Sequence, residues 1–231
     1  MKILYGTTNQ AKLESMRRIM KTLGVEIIGL NELQQPLPFI EESGKNPLEN
    51  AEIKARIYYE LFSMPVFSCD SGLYFDDVED SFQPGTRIRR VNGKELTDEE
   101  MIEYYADLAR KYNNKLIGRY RNAICFIADD STIFRSMDEA LATEPFMIVS
   151  VPHEKRNPGF PLDSLSVDIS TGEYYYDLKD KTVDKTAIDE GFQSFFIKAL
   201  SVIEEKHKKY VEILPDYCCD ELCDIRKIII D

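Results

Sequence analysis

The chain has 231 residues, 43% hydrophobic and 30% charged, with a formal net charge of −12, which suits one large α/β domain or two small lobes around a sizeable core. An acidic surface repels nucleic acid and anionic membranes and so removes both as expected partners, although a local lysine cluster can still hold phosphate. No apolar run approaches the ~20 residues that span a bilayer, and Met1–Gly6 is too short an apolar stretch for a secretory signal, so a cytoplasmic location is expected.

Lys2–Tyr5 reads as a short apolar strand running into the polar turn Gly6-Thr7-Thr8-Asn9. Leu13, Met16, Ile19, Met20 and Leu23 recur at helical spacing, and Gly24 can close that helix. The next helix starts at Asn46 as N-cap, with Pro47 in the first position and Glu49 placed for a capping box. Leu48, Ala51, Ala55, Tyr58 and Phe62 give it an apolar stripe. Pro65–Cys69 reads as a strand that turns at Asp70-Ser71-Gly72, and Leu73-Tyr74-Phe75 as a further strand. Thr97-Asp98-Glu99-Glu100 is a second capping box, opening a helix with Met101, Ile102, Tyr105, Leu108 and Tyr112. Strands are expected at Asn122–Ala128, Ile133–Met137 and Phe146–Val149, a turn at Asn157-Pro158-Gly159, and a long helix over Ile188–Val211. Strands that first alternate with helices and then cluster imply a mixed sheet covered by helices. The domain is expected to cover residues 1–210, leaving 211–231 as a tail of unassigned role.

The chain has five cysteines. Cys69 and Cys125 lie in strand-like segments, and Cys218, Cys219 and Cys223 crowd the tail. An odd count without a signal peptide points to reduced thiols. The tail trio has no fourth Cys or His nearby at zinc spacing.

Four stretches carry candidate chemistry. Thr7–Leu13 is a strand-to-helix turn with Lys12 in the first helical turn, where backbone N–H groups and an ammonium attract phosphate. Each stretch also has an ordinary reading, here a simple N-cap and a solvated lysine. Glu41-Glu42-Ser43-Gly44 places carboxylates before a helix, and Glu49-Asn50-Ala51-Glu52-Ile53-Lys54-Ala55 carries a lysine within it; a solvated acidic loop is the alternative. Cys69-Asp70-Ser71-Gly72-Leu73 puts an acid at the end of an apolar strand, a usual place for catalytic groups in α/β proteins, though turn chemistry also explains it. Gly159-Phe160-Pro161-Leu162-Asp163, followed by Asp184-Lys185, offers an aromatic ring and an acid for a base, or simply a core phenylalanine.

Taken in order, these stretches resemble the inosine/xanthosine triphosphate pyrophosphatases. That family reads T-G-N-x-x-K-L, E-E-T-G, E-N-A-x-x-K-A, D-D-S-G-L, a P-G followed by arginine (here Pro84-Gly85 with Arg89 or Arg90), and G-F-G-[YW]-D-P. The resemblance spans roughly Met1 to Leu200. It implies an elongated mixed central sheet flanked by helices, two lobes with a cleft between them, and usually a homodimer. It also implies that Glu41 and Asp70 hold Mg²⁺, with Mn²⁺ a possible substitute, and orient the attacking water. Thr8, Asn9, Lys12, Lys54, Ser71 and Lys185 would face the substrate, with Phe160 stacking on the base and Asp163 recognising it.

Three positions depart from the family pattern. Cys69 replaces the first aspartate of D-D-S-G, Pro161 and Leu162 replace glycine and the aromatic, and Asp189-Glu190-Gly191 replaces S-H-R. The resulting expectation is Mg²⁺-dependent hydrolysis of nucleoside triphosphates to monophosphate and pyrophosphate, on non-canonical purine nucleotides with altered base specificity. The alternative is a catalytically impaired nucleotide-binding protein on the same fold.

Overall fold

The computed structural model describes the backbone of residues 1–178 and 183–213, and the side chains of residues 1–178 and 187–209. In chain order the main elements are β1 (Lys2–Tyr5), α1 (Gln10–Lys21), β2 (Glu26–Gly29), α2 (Pro47–Phe62), β3 (Val66–Phe75), β4 (Arg90–Val91), β5 (Lys94–Glu95), α3 (Asp98–Lys111), β6 (Leu116–Asp129), β7 (Thr132–Ser136), β8 (Phe146–Ile148), β9 (Ser166–Val167) and α4 (Val183–Ile213). The main sheet has the order β2-β1-β3-β6-β8-β9, with β7 beside β6. It is parallel where β1 meets β2 and β3, and antiparallel where β6 meets β7 and β8 and where β8 meets β9. This is the mixed α/β sheet expected from the sequence.

The chain forms two compact units, one of Met1–Asp70, Ala123–Ala140 and Asp189–Asp231, the other of Ser71–Asn122 and Leu141–Ile188. In the first, β1-α1-β2 is a parallel crossover. Leu13, Met16, Ile19 and Met20 are the buried face of α1, and Asn9 caps it by accepting from the Lys12 N–H. Gly24, at φ +67°, supplies the left-handed turn toward β2. One core cluster joins Leu4, Leu30, Ala51, Ala55, Tyr58, Val66, Cys125 and Ile127. Phe196 of α4 is fully buried and meets the rings of Phe67 and Phe126 at 5.1 and 5.8 Å. The second unit packs α3, through Met101, Ile102, Tyr105 and Leu108, onto Leu73, Phe75, Leu116, Phe146 and Ile148. Thr97 and Glu100 form the expected capping box.

Several local expectations change. Asp70-Ser71-Gly72 is not a turn: β3 runs unbroken from Val66 to Phe75. Backbone pairing decides this, since Leu73 and Gly85 exchange N–H···O=C bonds of 2.9 and 3.0 Å just beyond the polar triplet. The strand expected at Asn122 begins at Leu116, because polar Arg119, Arg121 and Asn122 hide the alternation. Glu26–Gly29 is a further strand, too short for its alternation to stand out after the helical pattern before it. Glu49 reaches back to the Lys45 N–H at 2.8 Å rather than to that of Asn46, so α2 has the Asn46 cap without the reciprocal bond of a capping box. The last helix begins at Val183, and the tail cysteines lie outside the described residues. No described helix is long and apolar enough to cross a membrane.

Phe196→Ala is expected to lower the unfolding free energy by about 3–5 kcal/mol, because it empties a three-ring contact at a fully buried position. Urea denaturation followed by far-UV circular dichroism measures the loss.

Candidate active site

The chemistry-bearing residues of the first unit centre on Lys54. Asn50 and Lys54 stand four residues apart on one face of α2, and both reach Asp70 of β3. Lys54 Nζ donates to Asp70 Oδ1 at 3.1 Å, and Asn50 Nδ2 donates to Asp70 Oδ2 at 3.0 Å. The same ammonium donates to Glu42 Oε1 at 3.1 Å. The Lys54 and Asp70 side chains are each only 13% exposed. Burial pulls the Lys54 pKa down, but Asp70 and then Glu42 outweigh it, so the ammonium is held above its ordinary value. Asn50 is buried, and its Oδ1 accepts the Gly44 N–H at 2.8 Å.

Lys12 is exposed in the first turn of α1 and makes no ion pair among the described residues. Its positive charge, with that of Lys54, acts on the Cys69 thiol. Both lysines therefore bear on the middle of β3. Thr8 and Asn9 are exposed at the start of α1, and the Asn9 carboxamide oxygen is engaged in the cap. Gly6, in the turn before them, has no room for a side chain: a Cβ there would lie 2.1 Å from Ser68 Oγ.

Cys69 stands where the resembling pattern has a carboxylate. Burial pushes its thiol up to about 11, against the smaller opposing effects of its hydrogen bond with Tyr5 and of the two lysines. Tyr5 is likewise held well above its usual value, chiefly by burial. The pair is neutral near pH 7, so Cys69 brings neither negative charge nor a hard oxygen to this place.

Glu41 is exposed and makes no side-chain hydrogen bond or ion pair among the described residues; it is Glu42 that meets Lys54. No group of three or more His, Cys, Asp or Glu side chains is arranged to hold a metal ion among the described residues. Mg²⁺ keeps several waters and is usually held by one or two carboxylates together with substrate phosphates. Asp70 and Glu42 are both bonded to the Lys54 ammonium, and their oxygens are the hard donor type that Mg²⁺ takes.

The other expected residues belong to the second unit. Ser71 donates its hydroxyl proton to Asn122 Oδ1 at 2.7 Å. Phe160 is 53% exposed, and Asp163 accepts from Asn157 Nδ2 at 3.1 Å. The loop carrying Phe160 is tied to α3, since Gly159, at φ +83°, donates its N–H to Asp98 Oδ2 at 2.8 Å. Arg89 pairs with the other Asp98 oxygen at 2.8 Å. Leu162, in place of the pattern's aromatic, is buried in this unit's core. Lys185 lies outside the described side chains. In the first unit, Asp189 pairs with Arg18 at 2.6 Å, while Glu190 is exposed and Gly191 buried.

Residues 3–144 match the sequence pattern of the Ham1 family. The dITP/XTP pyrophosphatase of Haemophilus influenzae is 30% identical over 209 residues, covering 89% of this chain and 98% of the relative. The chain belongs to the Ham1 family. A second relative, the dITP/XTP pyrophosphatase of Cutibacterium acnes, is 30% identical over 186 residues, covering 78% of this chain and 88% of the relative. Ham1 proteins of Staphylococcus aureus and Coxiella burnetii share the fold. Their TM-scores are 0.67 and 0.66 at 20% and 23% identity, covering 86% and 88% of this chain and 99% of each of those chains. The relatives' name describes hydrolases that act on phosphoric anhydrides.

Within this Ham1-family site, sequence reasoning passed over Asn50 and Glu42. The readable signal for Asn50 was a polar residue beside Ala51 on the apolar stripe, one helical turn before Lys54.

In a variant with Cys218, Cys219 and Cys223 replaced by serine, Cys69 is expected to react with a disulfide reagent at pH 8 roughly a hundredfold more slowly than an unperturbed thiol. The shift from 9.0 to about 11 removes that much thiolate, and the rate should rise steeply as pH climbs toward 11. Fast labelling at pH 8 would contradict the half-buried, neutral thiol.

Proposed function

We propose that this chain is an Mg²⁺-dependent nucleoside triphosphate pyrophosphatase that releases a monophosphate and pyrophosphate. The observation that carries this reading is the Lys54 ammonium held jointly by Asp70 and Glu42, beside the α1 start that bears Lys12. Lys12, Lys54 and the Thr8-Asn9 turn that precedes α1 would neutralise and orient the phosphate chain, the dominant requirement of phosphoryl chemistry. Lys185 joins this set by resemblance. Asp70, held by two donors, would accept the proton of the water that attacks the α-phosphorus; the bond to the bridging oxygen breaks and pyrophosphate leaves. A divalent cation held by Asp70 with Glu41 or Glu42 would add charge neutralisation at the phosphate oxygens. Phe160 would stack on the base, and Asp163 would take part in reading it. Cytoplasmic action as a homodimer belongs to the same proposal.

One observation favours the second reading, a nucleotide-binding protein without turnover: position 69 holds a neutral thiol in place of an acid. Incubation with a panel of triphosphates and Mg²⁺ or Mn²⁺ separates the two. Pyrophosphate release supports the enzyme, orthophosphate release alone indicates a plain phosphatase, and binding without release supports the second reading. In the active protein, Asp70→Asn should lower kcat by about 10²–10⁴-fold, the usual contribution of a positioned general base.

The base preference is proposed to be weak. Asp189 is spent on Arg18, Glu190 and Gly191 bring no donor side chains, and Arg89, a potential substitute, is committed to Asp98. Strong discrimination needs buried polar groups that the wrong base leaves unpaired. The kcat/KM values for inosine and xanthosine triphosphates should exceed those for guanosine and adenosine triphosphates by less than about a thousandfold. A larger ratio would mean that another group reads the base.

A further inference from the structure

Asn50 is the only buried side chain of the first unit, among the described residues, whose two polar ends bond two different chemical arms of the candidate site. Its Oδ1 accepts the N–H of Gly44, which closes the Glu41-Glu42-Ser43 loop, and its Nδ2 donates to Asp70 Oδ2. The amide cannot turn over without losing both bonds, because a flip would set its NH₂ against the Gly44 N–H and its oxygen against the carboxylate. The approach from the loop is just as restricted. A Cβ at Gly44 would lie 2.5 Å from Asn50 Oδ1 and 2.8 Å from the Asn50 nitrogen. Backbone fixes the other side: Asn50 is one turn into α2, and its own N–H bonds to Asn46, the helix cap. Lys54 holds the second Asp70 oxygen from the same helix face, so the plane of the carboxylate is set by two donors one turn apart.

We propose that Asn50 is a positioning residue, a buried amide that couples the acidic loop to Asp70 and fixes the orientation in which Asp70 meets water and substrate. The proposal rests on the pyrophosphatase reading of this site. Asn50 touches no reacting atom. Its effect falls on turnover more than on substrate capture, since the lysines that meet the phosphates stay in place. Partners that orient a working carboxylate from behind typically matter by 10–100-fold.

The test compares wild type with Asn50→Ala and Gly44→Ala; the second leaves every candidate polar side chain intact and disturbs only the contact. Calorimetric titration with an α,β-methylene triphosphate and Mg²⁺ counts the folded, competent sites. Steady-state pyrophosphate release then gives kcat and KM per competent site. Both variants should bind the analogue at wild-type stoichiometry, lose kcat by about 10–100-fold, and keep KM within about threefold. A kcat within twofold of wild type in Asn50→Ala overturns the proposal. So does a loss of rate matched by an equal loss of competent sites, which would mark Asn50 as merely structural. A second readout needs no turnover. The Asn50 side-chain amide protons should exchange slowly with solvent in ¹⁵N spectra, and Gly44→Ala and Asp70→Ala should each accelerate them. Acceleration by both supports the coupling, and indifference to either overturns it. If wild type releases no pyrophosphate, the functional reading fails on its own, and the exchange experiment still decides the coupling.

Discussion

An ammonium group withdrawn from water must be met by negative charge, and at Lys54 this requirement organises the first unit. Burial alone would drive the lysine toward its neutral form; Asp70 and Glu42 reverse that tendency. The two carboxylates come from distant places, the middle of β3 and the loop before α2, and neither element would have reason to present an acid there without the cation. The geometry depends in turn on where α2 begins. Asn46 and Pro47 set its first turn, which puts Asn50 and Lys54 on the face toward Asp70. A helix started one residue later would rotate both by about 100° and leave the aspartate facing apolar side chains.

Position 69 shows how the same site tolerates a change of charge. An aspartate there would add negative charge between Asp70 and Tyr5, within the influence of both lysines. The thiol adds none, and its desolvation keeps it protonated against the smaller opposing effects of the tyrosine hydroxyl and the lysines. The local balance among the described residues is therefore two acids, Asp70 and Glu42, on the Lys54 ammonium, and one lysine, Lys12, without an ion-pair partner. On the proposed function, such a site would rely more on its ammonium groups and less on carboxylates to handle a triphosphate.

The sequence was legible where a residue's own chemistry decides the structure. Asn46 and Thr97 capped helices as expected, and the spacing of Leu13, Met16, Ile19 and Met20 gave the buried face of α1. It was less legible where partners far along the chain decide. Asp-Ser-Gly looked like a turn but stays in β3 because Gly85 supplies ladder bonds at Leu73. Leu162 stands out in the sequence only as a departure from the pattern's aromatic, yet it fills a core that only the folded second unit creates. Of the adjacent acids Glu41 and Glu42, spacing could not say which faces Lys54, since loop residues lack a period. Asn50 was hidden for a similar reason, because a helix-interior asparagine reveals its worth only once both neighbours of its amide are known.

The tight approach of Gly44 to Asn50 has a consequence for how this chain can vary over descent. Neither position can drift alone: any side chain at 44 collides with the amide at 50, and any loss of the amide leaves a buried N–H and a carboxylate oxygen without their partner. The two sites should therefore be inherited as a single character, changing together or not at all. A lineage in which one has been replaced while the other persists marks a branch where selection on this carboxylate has been relaxed.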